Sequence, residues 1–170
     1  MKHKFITLGE IMLRLTPPDY EKIRTATTFE ARYGGSEANV ALSLANLGID
    51  ASFFTVVPDN SLGKSAVRMM RSNDVNCDSV VYSTEEETPT HRLGTYYLET
   101  GYGIRPSKVV YDRKHSAFSE YDFSKTDVKK MLEGYMAASE RDHTCSWNKM
   151  QGSDLKLPEG SKRNEHDRKL

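Results

Sequence analysis

The stretch GGSEANVA, residues 34–41, decides the fold, because it places a glycine pair directly before a helical pattern. The weakly alternating run 27–33 predicts a strand that leads into the glycines, and the apolar spacing of 36–47 predicts a helix with Ser36 as its N-cap. Glycines at such a turn let a ligand approach the backbone, and the first helical amides favour oxygen-rich or anionic groups. A tight turn without a ligand is the alternative.

Strands and helices alternate on both sides of this stretch. Because strands that alternate with helices of about a dozen residues form βαβ units, we predict an α/β protein built on a mostly parallel sheet. The predicted strands are 5–8, 11–15, 27–33, 51–57, one within 75–82, 92–100 and 108–113, and the predicted helices are 36–47, 61–71 and a capped helix within 124–135.

Two pairs of predicted strands lack a helix between them. They are 11–15 with 27–33, and 92–100 with 108–113, the second pair forming a hairpin around Gly101-Tyr102-Gly103. We expect both pairs to form a separate small sheet that projects from the main one as a lid.

A second candidate site lies on the last of these strands. Tyr111 and Arg113 are two residues apart, so both side chains leave the same face of a strand. A phenol beside a guanidinium suits a ligand with a hydroxyl and a carboxylate, which Arg binds through two hydrogen bonds. Only one of Tyr96 and Tyr97 can share that face. An exposed strand with a surface arginine is the alternative.

The composition excludes several other classes of protein. The chain has 170 residues, with 24 Lys and Arg against 24 Asp and Glu. Because nucleic-acid-binding proteins usually carry an excess of basic residues, we expect no nucleic-acid partner. No apolar run is long enough for a membrane span or a signal peptide. Cys77 and Cys145 lie far apart, and the histidines show no ligand spacing, so we expect neither a disulfide framework nor a metal site. A soluble, cytoplasmic protein is predicted.

With these motifs in place, the chain resembles the ribokinase-like (PfkB) carbohydrate kinases, and within them the 2-keto-3-deoxygluconate kinase branch. The resemblance covers about residues 4–135. Glu37 stands where many family members carry a small residue, and this branch has Glu there. The motifs that carry the resemblance are, in chain order, GEIMLRLTPP (9–18), GGSEANVA (34–41), PDNSLG (58–63) and VYDRKHSAFS (110–119).

The resemblance implies a ribokinase-like parallel-sheet core, present in part, with a small β lid that often pairs with another subunit's lid. A homo-oligomer through the lid is therefore an expectation. The resemblance also implies that the turn and the lid bind a small-molecule sugar acid, with Arg113 against its carboxylate and Asn39 supporting the loop. The substrate-binding residues that it implies are Gly34, Gly35, Ser36, Asn39, Tyr96, Tyr111 and Arg113.

The full family enzyme uses ATP and Mg²⁺ to phosphorylate the terminal hydroxyl of the keto-sugar acid. Its later half carries a Gly-Ala-Gly-Asp signature with the catalytic base and the nucleotide pocket, and no such run occurs in residues 114–170. Because phosphoryl transfer depends on those groups, we expect this chain to be the N-terminal half of a sugar-acid kinase, inactive alone and binding neither ATP nor Mg²⁺. The alternatives are a non-catalytic sugar-acid-binding or dimerising fragment and an inert truncation product.

The composition changes near Tyr135, where the family motifs end. Residues 136–170 contain no Val, Ile, Phe or Tyr, and such a segment cannot bury enough apolar surface to offset its ordering entropy. We therefore divide the chain into a kinase part, 1–135, whose lid strands lie within about 11–33 and 92–113, and a polar tail, 136–170. We expect the tail to be disordered, or to result from a shifted reading frame or a truncated gene model. An ordinary polar C-terminal tail is the alternative.

Overall fold

The core of the protein is a parallel sheet flanked by helices, and the computed structural model describes residues 4–138. The strands are β1 (Lys4–Leu8), β2 (Met12–Thr16), β3 (Glu30–Gly34), β4 (Asp50–Phe54), β5 (Val56–Pro58), β6 (Val81–Ser83), β7 (Thr95–Glu99), β8 (Lys108–Asp112) and β9 (Met136–Ala138). The helices are α1 (Ser36–Asn46), α2 (Ser61–Arg71), α3 (Ala117–Glu120) and α4 (Val128–Leu132), with a 3-10 turn at Phe123–Lys125. None of the helices within 4–138 combines the length and apolar character that a membrane crossing needs.

The core sheet has the strand order β4-β1-β9, and all its pairings are parallel. The central strand β1 pairs with β4 along its whole length and with β9 from Phe5 to Thr7. Parallel neighbours require a crossover, which α1 provides between β1 and β4. A second parallel pair, β5-β6, has α2 as its crossover. This arrangement confirms the predicted α/β class.

Two apolar clusters pack around this core. The first joins α1 and α2 to β4 and also contacts the partly buried Leu13 and Tyr33, and the second lies between β1, β4 and the segment that follows α3. The buried residues of the first cluster are Ile11, Ala38, Ala41, Phe53, Val57, Ala66, Val67, Met70, Val75, Cys77 and Leu93. Those of the second are Ile6, Leu8, Phe54, Val56, Phe118, Tyr121 and Phe123.

A separate sheet with the order β3-β2-β7-β8, here called the lid sheet, confirms the predicted second sheet. β2 pairs antiparallel with β3, and β7 pairs antiparallel with β8, as expected for the two strand pairs without helices. The two pairs are joined by a parallel contact between β2 and β7, from Leu13 opposite Thr95 to Leu15 opposite Tyr97.

The predicted strand 51–57 is wrong as a single element, because the chain changes sheets at Thr55. The carbonyl of Phe54 accepts from Gly9 N (3.1 Å) on the β1 side, whereas the carbonyl of Thr55 accepts from Val81 N (3.0 Å) on the β6 side. Successive carbonyls along a strand point in opposite directions, so one residue transfers the pairing from one sheet to the other.

The last predicted helix is also shorter than expected. Ser124 lies in the 3-10 turn, and Asp127 caps α4 by accepting a hydrogen bond from Lys130 N at 3.1 Å. β9 lies within the segment assigned to the polar tail, so the core sheet extends three residues beyond Tyr135. The remainder of that predicted tail, 139–170, lies outside the described residues.

Candidate functional site

The glycine turn links the lid sheet to the core, since Gly34 ends β3 and Gly35 precedes α1. The backbone of Gly35 is extended (φ 176°), so its conformation does not require glycine. Glycine is required at this position for lack of space, because a Cβ at Gly35 would collide with the backbone carbonyl of Glu10. A Cβ at Gly34 would lie 3.2 Å from the hydroxyl of Tyr96. The glycine pair therefore permits a close approach between the turn, the end of β1 and the lid sheet.

The prediction that Ser36 caps α1 is wrong. Gly35 is the N-cap, because its carbonyl accepts the first helical hydrogen bond from Asn39 N (2.8 Å), and Ser36 is the exposed first residue of the helix. Asn39 faces the turn, since its side-chain oxygen lies 3.7 Å from the Cβ position of Gly34. The structure thus brings Asn39 to the turn and leaves the Ser36 side chain at the surface.

The tyrosine that shares a face with Tyr111 is Tyr96. These residues are directly opposite each other on β7 and β8, with ring centroids 5.8 Å apart and an interplanar angle of 37°. Tyr97 lies on the other face, where its ring packs edge-on against Phe29 at 5.9 Å. The side-chain alternation of a strand accounts for this choice. Tyr96 also reaches Gly34, so it connects the lid strands with the glycine turn.

Arg113 follows the end of β8 and lies on the same side as Tyr111, as predicted. Its guanidinium carbon is 5.9 Å from the ring centroid of Tyr111, within the range of a cation–π contact. Its Nε lies 3.5 Å from Oε2 of Glu10, whose backbone carbonyl borders Gly35. Glu10 therefore links the two candidate motifs, because its side chain contacts Arg113 and its backbone carbonyl borders Gly35.

Two charged residues of this site were not among the sequence candidates. Glu10 is buried and contacts Arg113. The sequence signal for it is its position just beyond the carboxyl end of a buried strand, where α/β proteins place ligand-binding groups. Arg14 lies on β2 opposite Tyr96, and within residues 4–138 its buried Nε has no hydrogen-bond partner. A second guanidinium therefore stands beside the tyrosine pair.

The two ends of the site differ in charge. At the lid end, the guanidinium of Arg113 is paired with Glu10, and Arg14 on β2 adds a second guanidinium. At the turn, Glu37 lies buried in the first helical turn and packs against Gly9, while Thr7 Oγ1 donates a hydrogen bond to its backbone carbonyl at 3.0 Å. A carboxylate in the first turn is favourable beside the positive end of the helix dipole. The arrangement suits a ligand with a carboxylate at one end and hydroxyls at the other.

Within 4–138, no group of three His, Cys, Asp or Glu side chains comes together in a way that could hold a metal ion.

The family model of the pfkB family carbohydrate kinases matches residues 2–131, from just before β1 into α4. The chain belongs to this family. The matched region contains all of the predicted site residues, and the predicted resemblance is confirmed.

Two curated relatives of this PfkB chain are kinases by name. A 2-dehydro-3-deoxygalactonokinase from Haloferax volcanii is 37% identical over 117 residues, which cover 69% of this chain and 35% of that protein. A 2-dehydro-3-deoxygluconokinase from Bacillus subtilis is 30% identical over 119 residues, which cover 70% of this chain and 35% of that protein. The PfkB chain thus spans about a third of the length of these relatives.

A solved structure supports the same assignment. The crystal structure of 2-dehydro-3-deoxygluconokinase from Thermotoga maritima is similar with a TM-score of 0.72 and 46% sequence identity, covering 78% of this PfkB chain and 39% of that one. This similarity confirms the predicted ribokinase-like core with its small lid sheet.

Proposed function

We propose that this PfkB chain forms the acceptor-binding part of a kinase for 2-keto-3-deoxy sugar acids, with Arg113 as the residue that binds the carboxylate. The observation that supports this proposal is the Arg113 guanidinium beside Tyr111 and in contact with Glu10, whose backbone carbonyl borders the glycine turn. Relatives named 2-dehydro-3-deoxygalactonokinase and 2-dehydro-3-deoxygluconokinase support the same class of acceptor.

The proposed ligand lies between the lid sheet and the start of α1. Its carboxylate would accept two hydrogen bonds from Arg113, since a guanidinium matches a carboxylate in geometry. The phenols of Tyr96 and Tyr111 would bind neighbouring oxygens, and the sugar hydroxyls would meet the turn. The proposed substrate-binding residues are Gly34, Gly35, Ser36, Asn39, Tyr96, Tyr111 and Arg113.

The proposal assigns no catalytic base, nucleotide or metal to residues 4–138. In the full family enzyme ATP supplies the phosphoryl group, and we expect this chain alone to bind the sugar acid without phosphorylating it. A cytoplasmic location belongs to the same proposal, supported by the unpaired, buried Cys77.

Calorimetry with 2-keto-3-deoxygluconate and its methyl ester tests the proposed binding. The ester keeps the hydroxyls and lacks the charge, so the acid should bind about 10- to 150-fold more tightly, the effect of about 1.5–3 kcal/mol for hydrogen bonds to a charged group. Equal affinities for the acid and the ester would refute the carboxylate role of Arg113. Binding of neither compound would favour the inert fragment, and ATP-dependent phosphorylation by the purified chain would contradict the division of roles.

The proposal includes pairing of the lid sheet with a second copy of the chain. β8 is an edge strand, and its Val109 and Val110 are 43% and 41% exposed. Exposed apolar edge strands tend to pair with another chain. We expect Val110→Lys to convert a dimer to a monomer in sedimentation velocity, whereas Val40→Lys, at a comparably exposed valine on α1, should leave it a dimer. A monomeric wild type would contradict the pairing.

A further inference from the structure

We propose that Glu10 is a positioning residue whose buried carboxylate fixes the orientation of Arg113 for the acid group of the ligand. This inference rests on the proposed function, because it assigns the orientation of the arginine that binds the carboxylate. Glu10 itself would not touch the ligand.

The carboxylate of Glu10 has separate contacts for its two oxygens. Oε2 lies 3.5 Å from Nε of Arg113, and the side chains of these residues are 8% and 27% exposed. Oε1 accepts a hydrogen bond of 2.6 Å from the hydroxyl of Ser116, which is itself buried. An ionised carboxylate at this depth needs both partners, because burial of an unpaired charge is costly.

The surroundings of Glu10 leave its carboxylate little freedom. A Cβ at Gly94 would collide with Oε1, so the backbone before β7 packs directly against this oxygen. Ser116 is held as well, since its hydroxyl accepts from Ser119 N (3.3 Å) at the start of α3 while it donates to Glu10. The carboxylate is therefore fixed by elements far from it in sequence, and it can in turn fix the arginine.

The contact engages Nε of Arg113, the nitrogen nearest the chain. The two terminal nitrogens are the pair that binds a carboxylate through two parallel hydrogen bonds. An arginine held at Nε can therefore present these nitrogens to a ligand without first losing rotamer freedom on binding. This preorganisation corresponds to about a 2- to 12-fold gain in affinity for one long side chain.

The negative charge of Glu10 should weaken binding of the anionic ligand, whereas its positioning of Arg113 should strengthen it. A carboxylate behind the arginine repels the anionic ligand, so charge alone predicts that its removal tightens binding of the acid. Positioning predicts that its removal weakens binding of the acid and leaves the uncharged ester unaffected. The two effects differ in sign, so a single pair of affinities decides between them.

The experiment compares Glu10→Gln, which has nearly the same shape and no charge, with wild type in calorimetry with 2-keto-3-deoxygluconate and its methyl ester. We expect the affinity for the acid to fall about 2- to 12-fold with the affinity for the ester unchanged. The matched control is Asp112→Asn, which removes one negative charge beside Arg113 but from a different ion pair, with Arg92 at 3.0 Å. This control should bind the acid as tightly as wild type or more tightly.

A second variant and a measurement without ligand complete the test. Ser116→Ala serves as the test if Glu10→Gln does not fold. It leaves Glu10 in place and removes the hydrogen bond that Ser116 donates to it, so it should also weaken binding of the acid. In NMR spectra the Nε–H of Arg113 should exchange with water more slowly in wild type, where it contacts Glu10, than in Glu10→Gln. Unchanged or tighter acid binding with unchanged exchange would overturn the role of Glu10. If wild type binds the acid and the ester equally well, the proposed function is overturned instead. The exchange rates of the Arg113 Nε–H would then decide separately whether Glu10 holds Arg113.

Discussion

Replacement of Gly35 by alanine should destabilise the chain and weaken the candidate site together. The backbone at Gly35 has φ 176° and ψ 154°, an extended conformation that any residue adopts, so the substitution causes no backbone strain of its own. The added Cβ would collide with the carbonyl oxygen of Glu10 and lie 3.3 Å from its carbonyl carbon and 3.6 Å from Cα of Ile11. These are backbone atoms, so the contact is relieved only if the turn and the end of β1 separate.

The expected cost follows from overpacking. An additional carbon in a tightly packed region typically costs about 1–3 kcal/mol. For a chain of 170 residues, each kcal/mol lowers the melting temperature by about 2–4 °C, so Gly35→Ala should melt roughly 2–12 °C below wild type. Separation of the turn from Glu10 also displaces the carboxylate behind Arg113, so the affinity for the sugar acid should fall as well.

Gly48→Ala is the matched control. Gly48 has a φ of +74° and no heavy atom within 4 Å of its Cβ position, so its cost is backbone strain of about 1–2 kcal/mol, away from the site. Differential scanning fluorimetry and calorimetry should show a lower melting temperature for both variants and weaker acid binding for Gly35→Ala alone. A Gly35→Ala chain that melts and binds like wild type would refute the close packing between the turn and Glu10.

Three further outcomes are expected. Arg113→Ala should raise the Kd of the sugar acid about 10- to 150-fold in calorimetry, and Arg113→Lys should restore only part of the affinity, because an ammonium lacks the planar fork; an unchanged Kd for Arg113→Ala would remove it from the site. Burial raises the pKa of the Cys77 thiol to about 11, so in a Cys145→Ser background Ellman's reagent at about pH 8 should react slowly with the folded chain and rapidly in urea; rapid reaction of the folded chain would contradict this. The hydrogen bond from Thr90 Oγ1 (2.5 Å) holds the pKa of Glu120 below its ordinary value. It therefore stabilises the folded chain above the ordinary pKa of a glutamate, and this stabilisation is lost as the pH falls through the lowered pKa of Glu120. Thr90→Val should therefore lower the urea midpoint at about pH 7 and have much less effect at about pH 3, and equal effects at both would argue against this origin.

The position of α2 is predictable because the signal at its start is local. The spacing of residues 61–71 predicted a helix, and α2 occupies that range. The reason lies in Asn60, whose side-chain oxygen accepts from the amides of Leu62 (3.0 Å) and Gly63 (3.1 Å). All three residues are neighbours in the sequence, so the pattern contains the whole explanation.

Sheet membership was less predictable, because apolar runs report burial rather than the identity of the partner strand. The run 51–57 looks like one strand, although Thr55 separates two strands with different partners. The lid sheet was predictable as a separate unit from its missing helices, whereas the parallel contact that joins its halves carries no local signal.

The candidate site shows the same limit. Strand alternation alone predicts that Tyr111 and Arg113 share one face. Glu10 could not be assigned in this way, because its burial depends on Ser116, which is 106 positions away, and on the absence of a side chain at Gly94. Contacts of this kind arise only when distant parts of the chain meet.

The short parallel contact between β2 and β7 has a consequence for how the site is assembled. It pairs only three residues on each strand, whereas β2–β3 and β7–β8 each pair five. Each half pairs strands that are close in the sequence, whereas the contact between β2 and β7 closes a longer loop that contains α1 and α2, so we expect it to form later. Gly34 stands on one side of this contact and Arg113 on the other. We therefore expect the relative position of Gly34 and Arg113 to be fixed when this contact forms, and a ligand that contacts both residues should stabilise it.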